Sequence, residues 1–307
     1  MSDALDVVIV HYTGADCLRR SVAAVRKSVD RKLRIAIVDN DAPDPLPEEV
    51  TVSPEVVVLE PGENLGFGRA TNLGARSGKA EYLLLINPDA TLTRAAFRAM
   101  TGILDEHPRV AACAPRLTNP DGTAQVGSAG YLPTVATVTR QALPLARLLG
   151  GKGGRSLFVA AEPRAGEEGF RGVDWLSAAC MLIRRRAFEE IGGFDGRFFL
   201  YGEDIDLGKR LRERGWELAY LPRVSVKHEH LQADRGRAHR ASDCAWLDGL
   251  DLYYRLHSPR LRRLLHTIGG SGFALRALAH SARRRDRVQR DRMIAFMKRS
   301  AHHALAG

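Results

Sequence analysis

Apolar residues in the first third of the chain fall into blocks of two kinds. Short, nearly unbroken runs occur at 5–10, at Leu33-Arg34-Ile35-Ala36-Ile37-Val38, at Val56-Val57-Val58-Leu59 and at Tyr82-Leu83-Leu84-Leu85-Ile86. Their length and β-branched content predict buried strands. Between them the period changes. Leu18, Val22 and Val25, at spacings of four and three, predict a helix from about Asp16 to Ser28. Further helices are expected through Ala70 to Ser77 and over Arg94 to Glu106, with another strand at Val110 to Leu117. Strand, helix, strand, strand, helix, strand, helix predicts an α/β fold, a mostly parallel sheet covered by helices on both faces.

Beyond that point the pattern loosens. Residues 118–170 are punctuated by Gly and Pro around a short apolar piece at Leu143 to Leu149, which predicts a flap. Order returns with a strand over Val173 to Ile183, a short helix at Arg186 to Ile191 and a turn at Gly192-Gly193-Phe194-Asp195. An acidic helix from Asp204 to Arg214 follows, then strands at Leu218 to Tyr220 and Val224 to Lys227 leading into His228-Glu229-His230. From Trp246 onward the chain reads as helices, broken near Gly269-Gly270-Ser271-Gly272. The expected division is a body at 1–230, with halves 1–117 and 171–230 flanking the flap, and a helical extension at 231–307.

Composition adds limits. The chain has 307 residues, 45% hydrophobic and 27% charged, as in ordinary globular proteins. No apolar run approaches the roughly 18 residues that span a bilayer, and Met1 to Asp6 lacks a basic leader. The four cysteines form no CxxC pair, so neither a zinc knuckle nor a disulfide framework is suggested; a cytoplasmic protein with reduced thiols is expected. The net charge of +10 is concentrated: residues 255–307 carry +11, and the rest of the chain −1. A segregated basic tail predicts either an anionic partner, such as a phospholipid surface, a lipid diphosphate or nucleic acid, or a solvated helical face.

Candidate chemistry collects after the first, second and fourth strands, at the carboxyl edge where open α/β sheets bind ligands. Asp39 ends the second strand and suits a nucleobase, a ribose hydroxyl or a turn cap. Asp89 follows Asn87-Pro88 at the end of the fourth and suits Mg2+ or Mn2+, which prefer carboxylate oxygens shared with phosphates. His228, ending a later strand, would complete such a site. Glu203 and Asp204 follow the apolar Phe198-Phe199-Leu200-Tyr201, where burying charge without a task is costly. Gly62, Gly66 and Gly68 are spaced GxxxGxG rather than GxGxxG, which argues against a dinucleotide loop.

These motifs in order, Val7 to Tyr12, Val38-Asp39-Asn40, Glu63 to Gly68, Asn87-Pro88-Asp89, Trp175-Leu176-Ser177, Gly192 to Asp195 and Tyr201 to Leu207, resemble the inverting GT-A glycosyltransferases of family 2. The wording is most similar to rhamnosyltransferases that use dTDP-L-rhamnose and polyprenyl-diphosphate-linked acceptors in cell-envelope glycan synthesis. The resemblance implies a GT-A fold and a nucleotide-sugar donor, dTDP- or UDP-linked. It implies a glycan or polyprenyl-diphosphate acceptor and no nucleic-acid partner. By position, Asp39 and His11 would hold the nucleotide, Asn64, Gly66 and Asn87 would shape the donor cleft, and Asp89 and His228 would bind Mg2+ or Mn2+. Asp204 would be the catalytic base, ionised at neutral pH like an ordinary Asp of pKa about 3.9. Glu203 would orient it or serve the helix N-terminus, and Trp175 would form part of the acceptor wall. Asn87 departs from the family's DxD pattern, which weakens the expected metal affinity. Alternatives are a catalytically inactive nucleotide-sugar-binding protein and a sugar nucleotidyltransferase; the latter would need a Lys/Arg-rich loop after the first strand, where this chain has His11-Tyr12-Thr13-Gly14. The basic extension would dock the enzyme on the cytoplasmic face of an anionic membrane.

Overall fold

The first strand, β1 (Ala4–His11), is buried on both faces: Leu5, Val7, Val8 and Ile9 are at most 2% exposed. In the computed structural model, which describes residues 4–143, 155–159, 162–163, 167, 169–229, 238–282 and 287–306, this strand lies inside the sheet. It pairs in parallel with β2 (Lys32–Asp39) on one side and, across the sheet, with β4 (Tyr82–Ile86); β3 (Val56–Leu59) extends the parallel set beyond β2. Parallel pairing requires crossovers, supplied by α1 (Ala15–Ser28) and α3 (Phe67–Arg76), with the short α2 (Glu48–Thr51) ahead of β3.

The second half of the sheet is mixed. After β5 (Ala90–Thr91) and α4 (Arg94–Glu106) comes β6 (Val110–Thr118). Later come β7 (Ala129–Gly130), α5 (Val135–Ala142), β8 (Arg171–Val173), β9 (Trp175–Leu176) and β10 (Cys180–Arg184). They are followed by α6 (Arg185–Glu190), α7 (Glu203–Glu213) and β11 (Glu217–His228). The strand order is β3-β2-β1-β4-β10-β6-β11-β5, with β8 also on β11. β10 runs antiparallel between β4 and β6.

The sheet carries a buried charge on β1. Asp6 of β1 accepts 2.7 Å bonds from Arg185 Nη2 and from the Ala80 amide, and Arg185 also donates to the Ala75 and Ala80 carbonyls. The pair fixes the start of α6 against the start of β1 and the turn before β4.

The chain divides into two compact units. The first holds Met1–Ala129, Ala160–Phe199 and Glu203–Leu231, which includes the whole large sheet. The second holds Gly130–Val159, Leu200–Gly202 and Gln232–Gly307. Its helices are α5, α8 (Ala238–His257), α9 (Arg262–Ala282) and α10 (Arg287–Leu305). They enclose a small core of Leu247, Phe273 and Phe296. Asp251 accepts from Arg262 Nε at 2.7 Å and lies 2.9 Å from His266 Nε2, while Asp248 pairs with Arg299 at 2.6 Å and His303 at 2.7 Å. Part of the basic extension is therefore internal structure.

Three sequence expectations change. The strands at 218–220 and 224–227 are one strand, β11, whose pairing with β6 slips between Leu221 and Ser225. Pro222 has no N–H for the ladder, so the strand bulges there instead of ending. The run from Val173 to Ile183 is not one strand: Ser177 to Ala179 leave the ladder between β9 and β10. The tail does not break at its glycines. α9 continues through them because they permit close packing: a Cβ on Gly272 would lie 2.6 Å from Ala142, and one on Gly270 3.3 Å from Ser300. Of the apolar piece at 143–149, only Leu143 lies within the described residues, and His230 lies outside them.

Candidate active site

The turn after β4 brings Asn87 and Asp89 to His228 at the end of β11, because β5 pairs antiparallel with that end of the strand. His228 Nε2 lies 3.2 Å from Asp89 Oδ1 and 3.2 Å from Asn87 Nδ2. The Glu229 amide donates to the Asp89 carbonyl at 3.0 Å, clamping the two segments together. Both Asp89 and His228 are buried, at 7% and 6% exposure. Behind the ring, Nδ1 is 3.0 Å from Gln125 Oε1. Arg20 of α1 reaches Glu229 at 2.8 Å, so a cation already stands beside this pocket.

A divalent cation fits this donor set. A carboxylate oxygen and an imidazole nitrogen converge at hydrogen-bond distance, and phosphates and water ordinarily complete such a shell. Among the described residues no group of three or more His, Cys, Asp or Glu is arranged to hold a metal ion, so the protein would supply only part of the coordination.

The acidic pair opens α7. The backbone at Tyr201 (φ 66°) and Gly202 (φ 88°) is left-handed immediately before Glu203. Asp204 Oδ2 accepts from the Ala178 amide at 3.2 Å, while Asp204 Oδ1 and Glu203 Oε2 are buried without a hydrogen-bond partner. Gly208, one turn along, explains the approach. A Cβ there would lie 2.3 Å from the Asp174 carbonyl oxygen and 2.9 Å from Trp175 Cα, so only glycine lets α7 sit this close to β9. Residues four apart share a helix face, and Asp204 is therefore aimed at the same segment. Trp175 is itself buried, at 4% exposure.

Burial sets the protonation of the pair. It raises both carboxyls far above the usual carboxylate range, and the charge of Asp204 raises Glu203 further. The hydrogen bond from Ala178 acts in the opposite direction on Asp204. This corrects the sequence expectation of an ordinary Asp ionised well below neutrality. Desolvation thus favours the protonated form of both carboxyls.

The two halves of the site are joined through Ser177 to Ala179. The Asn87 amide donates to the Ala179 carbonyl at 3.0 Å, and the preceding residue, Ala178, donates to Asp204. Adjacent Cα atoms are about 3.8 Å apart, so this short backbone step carries Asp204 to within reach of the Asn87–Asp89 turn.

A third cluster lies at the ends of β1 and β2, where His11 pairs with Asp39 in register. Asp39 Oδ1 caps its own turn, accepting from the Ala42 amide at 3.0 Å. Asn40, part of the Val38-Asp39-Asn40 motif but given no role from the sequence, ties this edge to the glycine loop. Its Oδ1 accepts from Leu65 N at 2.8 Å, its Nδ2 donates to Asn64 Oδ1 at 2.9 Å, and Asn64 Oδ1 also accepts from Gly66 N at 2.9 Å. Gly66 (φ 74°) must be glycine, since a Cβ would meet the Phe199 carbonyl oxygen at 2.3 Å. The His11 ring is fully buried with neither nitrogen hydrogen-bonded, and its burial favours the neutral form against the pull of Asp39 and Asp44.

The family described as Glycosyl transferase family 2 matches residues 6–192, well over half of the chain. The chain belongs to that family. This family 2 glycosyltransferase is 34% identical over 250 residues to the N-acetylglucosaminyl-diphospho-decaprenol L-rhamnosyltransferase of Mycobacterium tuberculosis, an alignment covering 77% of this chain and 79% of that protein. Its fold is that of the mannosyltransferase PcManGT from Pyrobaculum calidifontis, solved with GDP-Man and Mn2+ (TM-score 0.59, 17% identity, 98% of this chain and 86% of the other). It is also similar to GalNAc-T7, solved with UDP, GalNAc and Mn2+ (TM-score 0.56, 16% identity, 82% of this chain and half, 50%, of the other). The expected GT-A architecture and glycosyltransferase class are therefore those of this chain, and a nucleotidyltransferase is set aside.

Proposed function

We propose that this family 2 enzyme moves L-rhamnose from dTDP-rhamnose to a polyprenyl-diphosphate-linked sugar, by single displacement with inversion. Support for the substrates comes from the mycobacterial relative, whose name describes L-rhamnosyl transfer to an N-acetylglucosaminyl-diphospho-decaprenol. Support for the chemistry comes from the backbone bridge that sets Asp204 beside the Asn87–Asp89 turn.

Asp204 takes the acceptor hydroxyl proton as that oxygen bonds to the anomeric carbon and the bond to the nucleoside diphosphate breaks. Its buried, unpartnered Oδ1 is the atom available for that proton. Glu203, protonated beside it, leaves Asp204 as the carboxylate of the pair. Asp39, His11, Asn64, Gly66 and Asn87 bound the donor cleft, and Trp175 lends a rigid wall on the acceptor side. Asp89 and His228 would hold Mg2+ or Mn2+, which when bound neutralises charge on the departing diphosphate. The test is transfer itself. Purified protein, a synthetic polyprenyl-diphosphate N-acetylglucosamine and dTDP-rhamnose should yield a rhamnosylated lipid by mass spectrometry, while UDP-glucose and GDP-mannose should not. Transfer from UDP-glucose alone would refute the donor assignment.

The C-terminal unit supports docking on an anionic membrane. Among the described residues no helix is long and apolar enough to cross a membrane. Leu264, Leu275 and Leu278 on α9 are 46%, 46% and 68% exposed, and Arg260 and Arg263 stand exposed at its start. Basic residues near an anionic surface contribute about 1 kcal/mol each. Sedimentation with phosphatidylglycerol vesicles should carry the protein down, and the double change Leu275→Glu, Leu278→Glu should release it. Equal sedimentation of both proteins would exclude this face.

A further inference from the structure

Gln125 belongs to the 118–170 stretch that the sequence leaves without a role, yet it is buried, at 5% exposure, directly behind His228. We propose that Gln125 is a positioning residue that fixes the tautomer of His228, so that Nε2 presents its lone pair toward Asp89.

A short hairpin delivers Gln125. Thr118 bridges to Ala124, the Asn119 amide donates to the Thr123 carbonyl at 2.8 Å, and Gly122 (φ 82°) makes the turn. The Gln125 amide then donates to the Leu117 carbonyl at 2.9 Å, which seats its side chain against the end of β11. The orientation of the side-chain amide follows from its surroundings. One terminal atom faces three oxygens: the His228 carbonyl at 2.6 Å, Asn119 Oδ1 at 3.0 Å and the Thr118 carbonyl at 3.5 Å. Only the NH2 group satisfies that environment, so the other terminal atom, 3.0 Å from His228 Nδ1, is the oxygen. An amide oxygen only accepts. The proton of a neutral His228 therefore sits on Nδ1, and Nε2 is the acceptor.

The other side of the ring agrees. Asn87 Nδ2, a donor, lies 3.2 Å from Nε2, and Asp89 Oδ1 lies at the same distance. With Nδ1–H directed at Gln125, Nε2 and Asp89 Oδ1 are two electron-pair donors facing one point, the arrangement a divalent cation takes. Partners behind a ligating histidine act in this way, and their loss typically weakens metal binding by about 10–100-fold. The consequence for metal rests on the proposed roles of Asp89 and His228; the tautomer does not.

The test separates the two. Nitrogen-15 correlation spectra of the metal-free protein, at mildly alkaline pH, report which ring nitrogen of His228 carries the proton. The wild type should show Nδ1–H. Gln125→Glu, which keeps an acceptor at that point, should show the same. Gln125→Met, of similar shape but without polar atoms, should move the proton toward Nε2, where Asp89 accepts it. A wild-type His228 protonated on Nε2, or a Gln125→Met variant that keeps Nδ1–H, overturns the proposal. Titration with Mn2+ alone, followed by electron paramagnetic resonance, should then show affinity about 10–100-fold weaker in Gln125→Met and near wild type in Gln125→Glu. Unchanged affinity in Gln125→Met overturns the positioning role. If the spectra behave as expected and Mn2+ binds no variant, wild type included, the tautomer assignment stands and the metal role of Asp89 and His228 falls.

Discussion

The Ala178 amide donates to Asp204 Oδ2 at 3.2 Å, and the next residue accepts from the Asn87 amide at 3.0 Å. The Asp204 carboxylate and the Asn87–Asp89 turn, over a hundred positions apart in the chain, thus share a single backbone step. Its accuracy depends on how closely α7 approaches β9, and that approach depends on one missing side chain.

Gly208→Ala tests this dependence. In an open helix the change would stabilise by about 1 kcal/mol. Here the new methyl would sit 2.3 Å from a backbone oxygen, which cannot move like a side chain, so the clash wins. The helix must shift, and misplacement of a reacting group by about 1 Å costs on the order of 100-fold in rate. We expect kcat to fall by about that factor while donor affinity, measured by calorimetry, changes far less.

The pH profile carries the second prediction. Because burial raises Asp204, the acid limb of kcat/KM should lie well above the pH of about 4 at which a free Asp side chain titrates. Glu203 is raised as well, by burial and by its neighbour's charge, and in the proposed mechanism it keeps its proton while Asp204 acts as the carboxylate. Glu203→Gln should therefore leave that limb in place. A limb that moves down by a unit or more in Glu203→Gln would mean that both carboxylates ionise in the working enzyme.

Glu203 also couples folding to pH. Its folded-state pKa is raised, so its contribution to stability is fully present below the unfolded value and is lost as pH rises through the folded one. Gln cannot ionise and loses nothing. Glu203→Gln should match the wild type in melting temperature near pH 4 and exceed it by several degrees above neutrality, at about 2–4 °C per kcal/mol for a body of this size. Differential scanning calorimetry across that range checks the sign.

Asp6 and Arg185 supply a purely structural prediction. Removing one partner strands the other as a buried charge, which typically costs about 3–5 kcal/mol. Arg185 keeps its carbonyl acceptors at Ala75 and Ala80, so Asp6→Ala should fall near 3 kcal/mol in urea denaturation, at the low end of that range.

The sheet was legible wherever burial on both faces makes a strand continuous. β1, β2, β3 and β4 announce themselves as apolar runs, and the order of motifs at their ends placed Asp39, Asn87 and Asp89 on one edge. Legibility ended where tertiary contacts overrule local pattern. Pro222 reads as a strand end but makes a bulge, and Gly269 to Gly272 read as a break but are packing contacts within α9. Gln125 carries no period or motif of its own, and only the folded hairpin shows what it faces. The elevated pKa values of Glu203 and Asp204 were equally hidden, because desolvation belongs to the site and not to the residue type.

The most direct test of the account is the rate of Asp204→Asn with donor affinity measured in parallel. Removal of the proposed base should lower kcat by about 10²–10⁴-fold, with dTDP-rhamnose and Mn2+ binding within a small factor of wild type, since the proposed roles give Asp204 no part in holding either. Transfer at an unchanged rate would contradict the account, and so would a loss of turnover explained entirely by lost donor binding.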